Sequence, residues 1–110
     1  MKYYELYTCN FWADRGEYKH TELEVEKETP KQIVFKRTSA YLKAFNKTRL
    51  LQVQESMYTS YIIYPEGKEA EARKLLLEAL ERQLSYHKKK AKAFNELIKE
   101  VASDGKKEHN

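Results

Sequence analysis

The chain of 110 residues contains one cysteine, three glycines and two prolines. It has no apolar run close to the ~20 residues that a bilayer span requires. Cys9 stands alone, which excludes an intrachain disulfide and a cysteine-based zinc cluster and fits a reducing, cytoplasmic setting. The glycines lie apart at 16, 67 and 105, so no glycine-rich loop is available to cradle a phosphate, and nucleotide hydrolysis has no support. His20, His87 and His109 lack metal-ligand spacing, and no metal or other cofactor is expected. The first 20 residues are aromatic and charged, without the apolar core of a secretion signal, so neither export nor membrane insertion is expected.

What is present is a chain that folds. Its apolar fraction is 41% and its charged fraction 35%, the composition of one ordinary soluble domain. The net charge of +4 is unevenly spread. Residues 1–30 carry 4 basic and 7 acidic groups, residues 31–64 carry 6 and 1, and residues 65–110 carry 11 and 9. The basic excess therefore sits mid-chain, where it can attract phosphate or an acidic protein surface, or act simply as a solubility device.

Residues 2–12, KYYELYTCNFW, are rich in the aromatic residues that strands favour. Both faces of this segment are partly apolar, so one of them is expected to lie under a helix or a partner. Asp14, Arg15 and Gly16 supply a turn. Residues 18–27 alternate, and residues 31–37, KQIVFKR, form the next strand. A three-residue loop of Glu28, Thr29 and Pro30 would place Leu23 opposite Phe35, Val25 opposite Ile33, Glu22 opposite Lys36 and Glu26 opposite Gln32. Residues 38–48 begin with two capping residues and suggest a short helical turn, followed by strand within 49–64. The run SMYTSYIIY reads as a central strand or one beneath the helix. Tyr58, Ser60, Ile62 and Tyr64 share one face, and Met57, Thr59, Tyr61 and Ile63 the other.

From Lys68 to Val101 the chain has no glycine or proline and is dominated by helix formers. Pro65, Glu66 and Gly67 open this helix, and Ser103, Asp104 and Gly105 close it. With Leu77 at heptad position a, the a positions are Leu77, Leu84, Ala91 and Ile98, and the d positions are Leu80, His87, Phe94 and Val101. Thirty-four helical residues measure about 51 Å, whereas a compact domain of this size is about 34 Å across. Either the helix breaks near Ser85–His87 or its second half meets another chain. Turn formers are absent there, which favours a continuous helix.

Few side chains form a chemical constellation. Cys9 with Asp14 and His20 reads more simply as a small strand filler than as a nucleophile. Glu22, Glu24, Glu26 and Glu28 recur at strand spacing; such carboxylates bind cations or act as acid and base, but a solvated strand face protected against edge pairing is the commoner arrangement. The most suggestive cluster is Lys36, Arg37, Lys43, Lys47 and Arg49, interleaved with Tyr41 and Phe45, and Lys88, Lys89 and Lys90 add a second basic run beside Lys92. Bases stack on exposed aromatics while lysine and arginine neutralise phosphates. The alternative is that Tyr41 and Phe45 plug the core and the lysines coat a solvated face. Nine tyrosines in a short chain also suit a protein interface.

The segment KETPKQIVFKR at 27–37, followed by a short polar connection, another strand and a charged helix, resembles parts of small uncharacterised proteins of bacteriophages and mobile elements of Gram-positive bacteria. The resemblance covers about a third of the chain and implies a genomic setting in which small accessory proteins bind host or phage proteins; it carries over no functional residue.

The expected fold is α+β: an antiparallel sheet of about four strands within residues 2–64, a helix over about 67–102, and a flexible tail at 103–110. The expected function is a non-enzymatic protein-interaction module, with nucleic-acid binding as the alternative. Leu84, His87, Ala91, Phe94, Ile98 and Val101 are the candidate self-association residues, which would give a homodimer through the C-terminal helix.

Overall fold

A computed structural model of the chain describes residues 1–12, 15–36 and 44–108. The fold is α+β. Among the described residues the strands are β1 (Tyr3–Cys9), β2 (Glu17–Leu23), β3 (Val25–Glu28), β4 (Gln32–Phe35), β5 (Ala44–Asn46), β6 (Gln54–Glu55) and β7 (Thr59–Pro65), followed by the helix α1 (Glu69–Glu108). A four-stranded antiparallel sheet has the order β2-β1-β7-β6, and a second, three-stranded sheet has the order β3-β4-β5. By contact the chain divides into two compact units, Met1–Ala79 and Leu80–Asn110.

In the first unit, the sheet centre is the β1–β7 pair, in register from Tyr3 opposite Pro65 to Cys9 opposite Thr59. Period-2 alternation gives this pair two distinct faces, and both are covered. On one face Tyr3, Leu23 and Ile63 pack with Ile33, Phe35 and Phe45 of the small sheet, and Val25, Leu50 and Tyr61 seal the rim. On the other, Leu6, Ile62 and Tyr64 are fully buried, as are Ala72, Leu76 and Ala79 of α1. His20 of β2 meets Glu69 at 3.4 Å on this side, which places the first helical turns over it. The spacing 72, 76, 79 is the stripe by which a helix lies on a sheet.

The alternating run at 18–27 is not one strand. It breaks at Glu24, where the chain leaves the large sheet as β2 and enters the small one as β3. Leu23 consequently pairs with Tyr3, not Phe35. In the small sheet Val25 stands opposite Phe35, Lys27 opposite Val34 and Glu28 opposite Ile33, with a bulge between Val25 and Lys27. The expected pairings of Val25 with Ile33 and Glu26 with Gln32 are thereby replaced. The turn is Thr29–Gln32: the Thr29 N–H donates to the Gln32 carbonyl (2.8 Å) and the Gln32 N–H to Thr29 Oγ1 (3.0 Å). Lys36 sits beside Glu24 at 3.7 Å, and Glu22 lies near Lys2 instead.

Of the segment 38–48, where a short helical turn is expected, residues 38–43 lie outside the described residues. Ala44–Asn46 is a strand, and Phe45 pairs with Ile33 because its ring completes the small-sheet core. A 3-10 turn, Lys47–Arg49, follows; Asn46 Oδ1 accepts hydrogen bonds from the Thr48 N–H and hydroxyl, both at 3.0 Å. Leu51 then takes a left-handed backbone (φ 59°), a conformation uncommon outside glycine, as its N–H donates to the Ile63 carbonyl at 2.9 Å. Gly67 (φ 91°) turns the chain from β7 into α1. The helix then continues through Ser103, Asp104 and Gly105, the residues expected to close it, as far as Glu108.

Two electrostatic features tie the first unit together. Burial, reinforced by a hydrogen bond to Glu28, pushes the Tyr3 hydroxyl up to about 12. Reciprocally, the bond from Tyr3 and the ammonium of Lys47, 3.4 Å away, hold the Glu28 carboxyl below its ordinary 4.5. A carboxyl whose folded value is depressed stabilises the fold fully above its unfolded value and loses that contribution as pH falls through the folded one. Urea midpoints of wild type and Glu28→Gln are therefore expected to differ most near neutral pH and to converge below pH 4.5; a gap that stays constant to low pH overturns the assignment. Phe45→Ala removes a ring that is 1% exposed and is expected to cost about 3–5 kcal/mol in equilibrium denaturation.

Candidate functional site: exposed apolar and basic surfaces

The mid-chain basic cluster does not assemble as the interleaved sequence suggests. Arg37, Tyr41 and Lys43 lie outside the described residues. Phe45 is core, so its ring has no face free to stack on a base. Gln32 stands opposite Asn46, so Lys36 leaves β4 at one end of the small sheet while Lys47 sits at the other. Four strand residues put about 13 Å between these ends. The ammonium of Lys36 lies near Glu24 and that of Lys47 near Glu28. Arg49 is exposed on the 3-10 turn.

A polar group of chemical interest joins β2, β7 and α1. His20 Nε2 is 2.6 Å from the Tyr64 hydroxyl and 3.4 Å from Glu69 Oε1, and Arg73 Nη2 reaches the same carboxylate oxygen at 3.4 Å. Burial pushes the Tyr64 hydroxyl up to about 12, and Tyr4 stacks on its ring at 5.5 Å. With Tyr64 buried, this group works as a tether that satisfies a hydroxyl beneath the helix. Among the described residues no cluster of His, Cys, Asp or Glu has the arrangement to hold a metal ion.

Two exposed apolar surfaces remain. At the end of the large sheet, the Phe11 ring meets Trp12 and Tyr58 edge-on, each at 5.1 Å, and the Arg15 guanidinium sits 5.6 Å over Trp12. The Asn10 N–H donates to the Tyr58 carbonyl (2.8 Å) and fixes Tyr58 beside Phe11. These residues escaped the sequence reading as a site because alternation assigned Trp12 and Tyr58 to strands, whereas they lie in the connections just past β1 and before β7.

The other surface is on α1 within the second unit. Phe94, Leu97, Ile98, Val101 and Ala102 line one shallow apolar groove. The four large side chains are 56%, 53%, 65% and 72% exposed. Spacings of three, four and seven put them on a single helical face. Phe94, Ile98 and Val101 were expected there; Leu97 and Ala102, just outside the a and d positions, were not, although 94, 97, 98, 101 is itself a helical stripe. Leu84, His87 and Ala91 are exposed on the same stretch, where Tyr86 meets the His87 ring edge-on at 5.5 Å and Lys90 lies 5.8 Å over Tyr86.

Leu77, taken as the first seam residue, is 52% exposed, because the covered stripe runs through Leu76, about 100° around the helix. Lys88, Lys89, Lys90 and Lys92 are all exposed, with Glu96, Glu100 and Asp104 following within four turns. No helix among the described residues is long and apolar enough to cross a membrane. No protein-family model, curated protein or solved structure matches the chain.

Proposed function

We propose that the chain is a non-enzymatic protein-interaction module that works through the C-terminal half of α1. The observation that carries this reading is the groove of Phe94, Leu97, Ile98, Val101 and Ala102. A helix that exposes four large apolar side chains on one face, with charges on the others, gains by covering that face with protein. The aromatic cluster of Phe11, Trp12 and Tyr58 offers a second contact of the type that interfaces favour. A cytoplasmic setting is part of the proposal, supported by the unpaired Cys9. A phage or mobile-element context rests only on the resemblance of residues 27–37 and the strand and helix that follow them.

Nucleic-acid binding is the second reading, and the run of Lys88, Lys89, Lys90 and Lys92 favours it. Affinity capture from host extract, with and without nuclease, separates the two. Proteins retained after nuclease treatment by wild type, and lost with Ile98→Glu/Val101→Glu, are the expected result. Both substitutions are at exposed positions, so helicity by circular dichroism is expected to stay unchanged. Partners that vanish with nuclease but persist with the double variant would overturn the interaction reading in favour of nucleic acid.

A further inference from the structure

We infer that the groove on α1 is covered by the same face of a second copy of the chain, running antiparallel. The inference rests on the interaction reading above and names the partner. It starts from the charge order along the exposed part of the helix: Lys88, Lys89, Lys90 and Lys92 come first with no acidic residue among them, then Glu96, Lys99, Glu100 and Asp104, before Lys106, Lys107 and Glu108 at the end. Residues 88–92 are thus basic and residues 96–104 net acidic. A parallel, in-register copy brings the two lysine runs to the same level. An antiparallel copy lays each lysine run against the acidic segment 96–104 of the other chain, the arrangement that favours encounter and orientation.

The side chains select the register as well. Antiparallel seams match a positions with d positions, and successive alignments that do so differ by one heptad. One sets Leu84 against Val101, His87 against Ile98 and Ala91 against Phe94; it buries a histidine against isoleucine and lays residues 88–92 against residues 93–97 of the second copy, where Glu96 is the sole acidic group. The next sets Ala91 against Val101 and Phe94 against Ile98, with the two-fold axis level with residue 96. In this second register the small Ala91 leaves room for the partner chain, and the apolar groove residues meet one another. Lys88 and Lys92 fall level with Asp104 and Glu100 of the second copy. Lys90 and Asp104 occupy the same flank of the seam, so they face each other across it twice, as a two-fold interface requires. Leu97 of each copy lies on that flank at the axis and extends the apolar contact.

Four large side chains per copy make a small interface, so association is weak, with the mean mass rising from one chain toward two between ~10 μM and ~1 mM. Sedimentation equilibrium on the full chain reads this directly. Ile98→Glu is expected to hold the protein at the mass of one chain. Lys90→Glu is expected to weaken association about twofold to tenfold, and Lys90→Glu/Asp104→Lys to restore it. For orientation, Ala91→Cys and Val101→Cys, each in a Cys9→Ser background, are expected to form a mixed disulfide when combined under mild oxidation, with little disulfide in either alone. A disulfide in Val101→Cys alone, or tighter association of Lys90→Glu, signals a parallel pair and overturns the inference. So does a wild type that stays at the mass of one chain at 1 mM. If nuclease-resistant partners are still captured in that case, the interaction reading stands and only the second copy is lost.

Discussion

The structure depends on a central strand pair that has to be covered twice. β1 and β7 lie side by side in the middle of the large sheet, with Tyr3 and Ile63 on one face and Leu6, Ile62 and Tyr64 on the other. Fully burying a side chain of this kind contributes about 1.5–3 kcal/mol, so neither face is stable against water. A sheet of this size in a short chain cannot cover itself. The small sheet β3-β4-β5 closes one side and the first turns of α1 the other, which makes three layers from the first 79 residues. The break at Glu24 follows from this requirement: a strand that continued straight would stay in the large sheet and leave Tyr3 and Ile63 open.

The polar contacts sit where these layers join. Glu28 takes the Tyr3 hydroxyl on the small-sheet side, and His20 takes the Tyr64 hydroxyl on the helix side. Both tyrosines place a ring in the core and a hydroxyl at its edge, which is how tyrosine serves a layer too thin to bury a polar atom without a partner. Their hydroxyls, raised to about 12, keep their protons throughout the neutral range and act as hydrogen-bonding groups rather than as anions.

Much of this was legible in the residues. The partly apolar faces of β1 implied that one of them lies under a helix or partner, the alternation at 59–64 marked a strand that is central or beneath the helix, and the absence of glycine and proline from 68 to 101 marked the helix; the second covering layer was not foreseen. Pairing was less legible, because 18–27 alternates perfectly whether it lies in one sheet or passes between two, and period-2 patterning carries no signal for a corner. Phe45 looked like a stacking aromatic for a related reason: lysines on either side make a buried ring and an exposed one read alike, and only the pairing of Ile33 with Phe45 distinguishes them. Leu76 and Leu77 were likewise indistinguishable within a run of three leucines until the sheet selected one.

The heptad reading ran one pattern through two different demands. Ala72, Leu76 and Ala79 answer to a sheet, which accepts a straight helix with a period of about 3.6, and two alanines let the helix backbone approach it closely. Beyond Leu80 no residue of α1 is buried among the described side chains, and the apolar residues there are Leu84, Tyr86, Ala91, Ala93, Phe94, Leu97, Ile98, Val101 and Ala102. Phe94, Leu97, Ile98 and Val101 put large side chains on one face, where the sheet-facing stripe carries two alanines and a leucine. This change of side-chain size along the helix fits two kinds of neighbour, the first supplied by the chain itself and the second by the partner proposed for its far half.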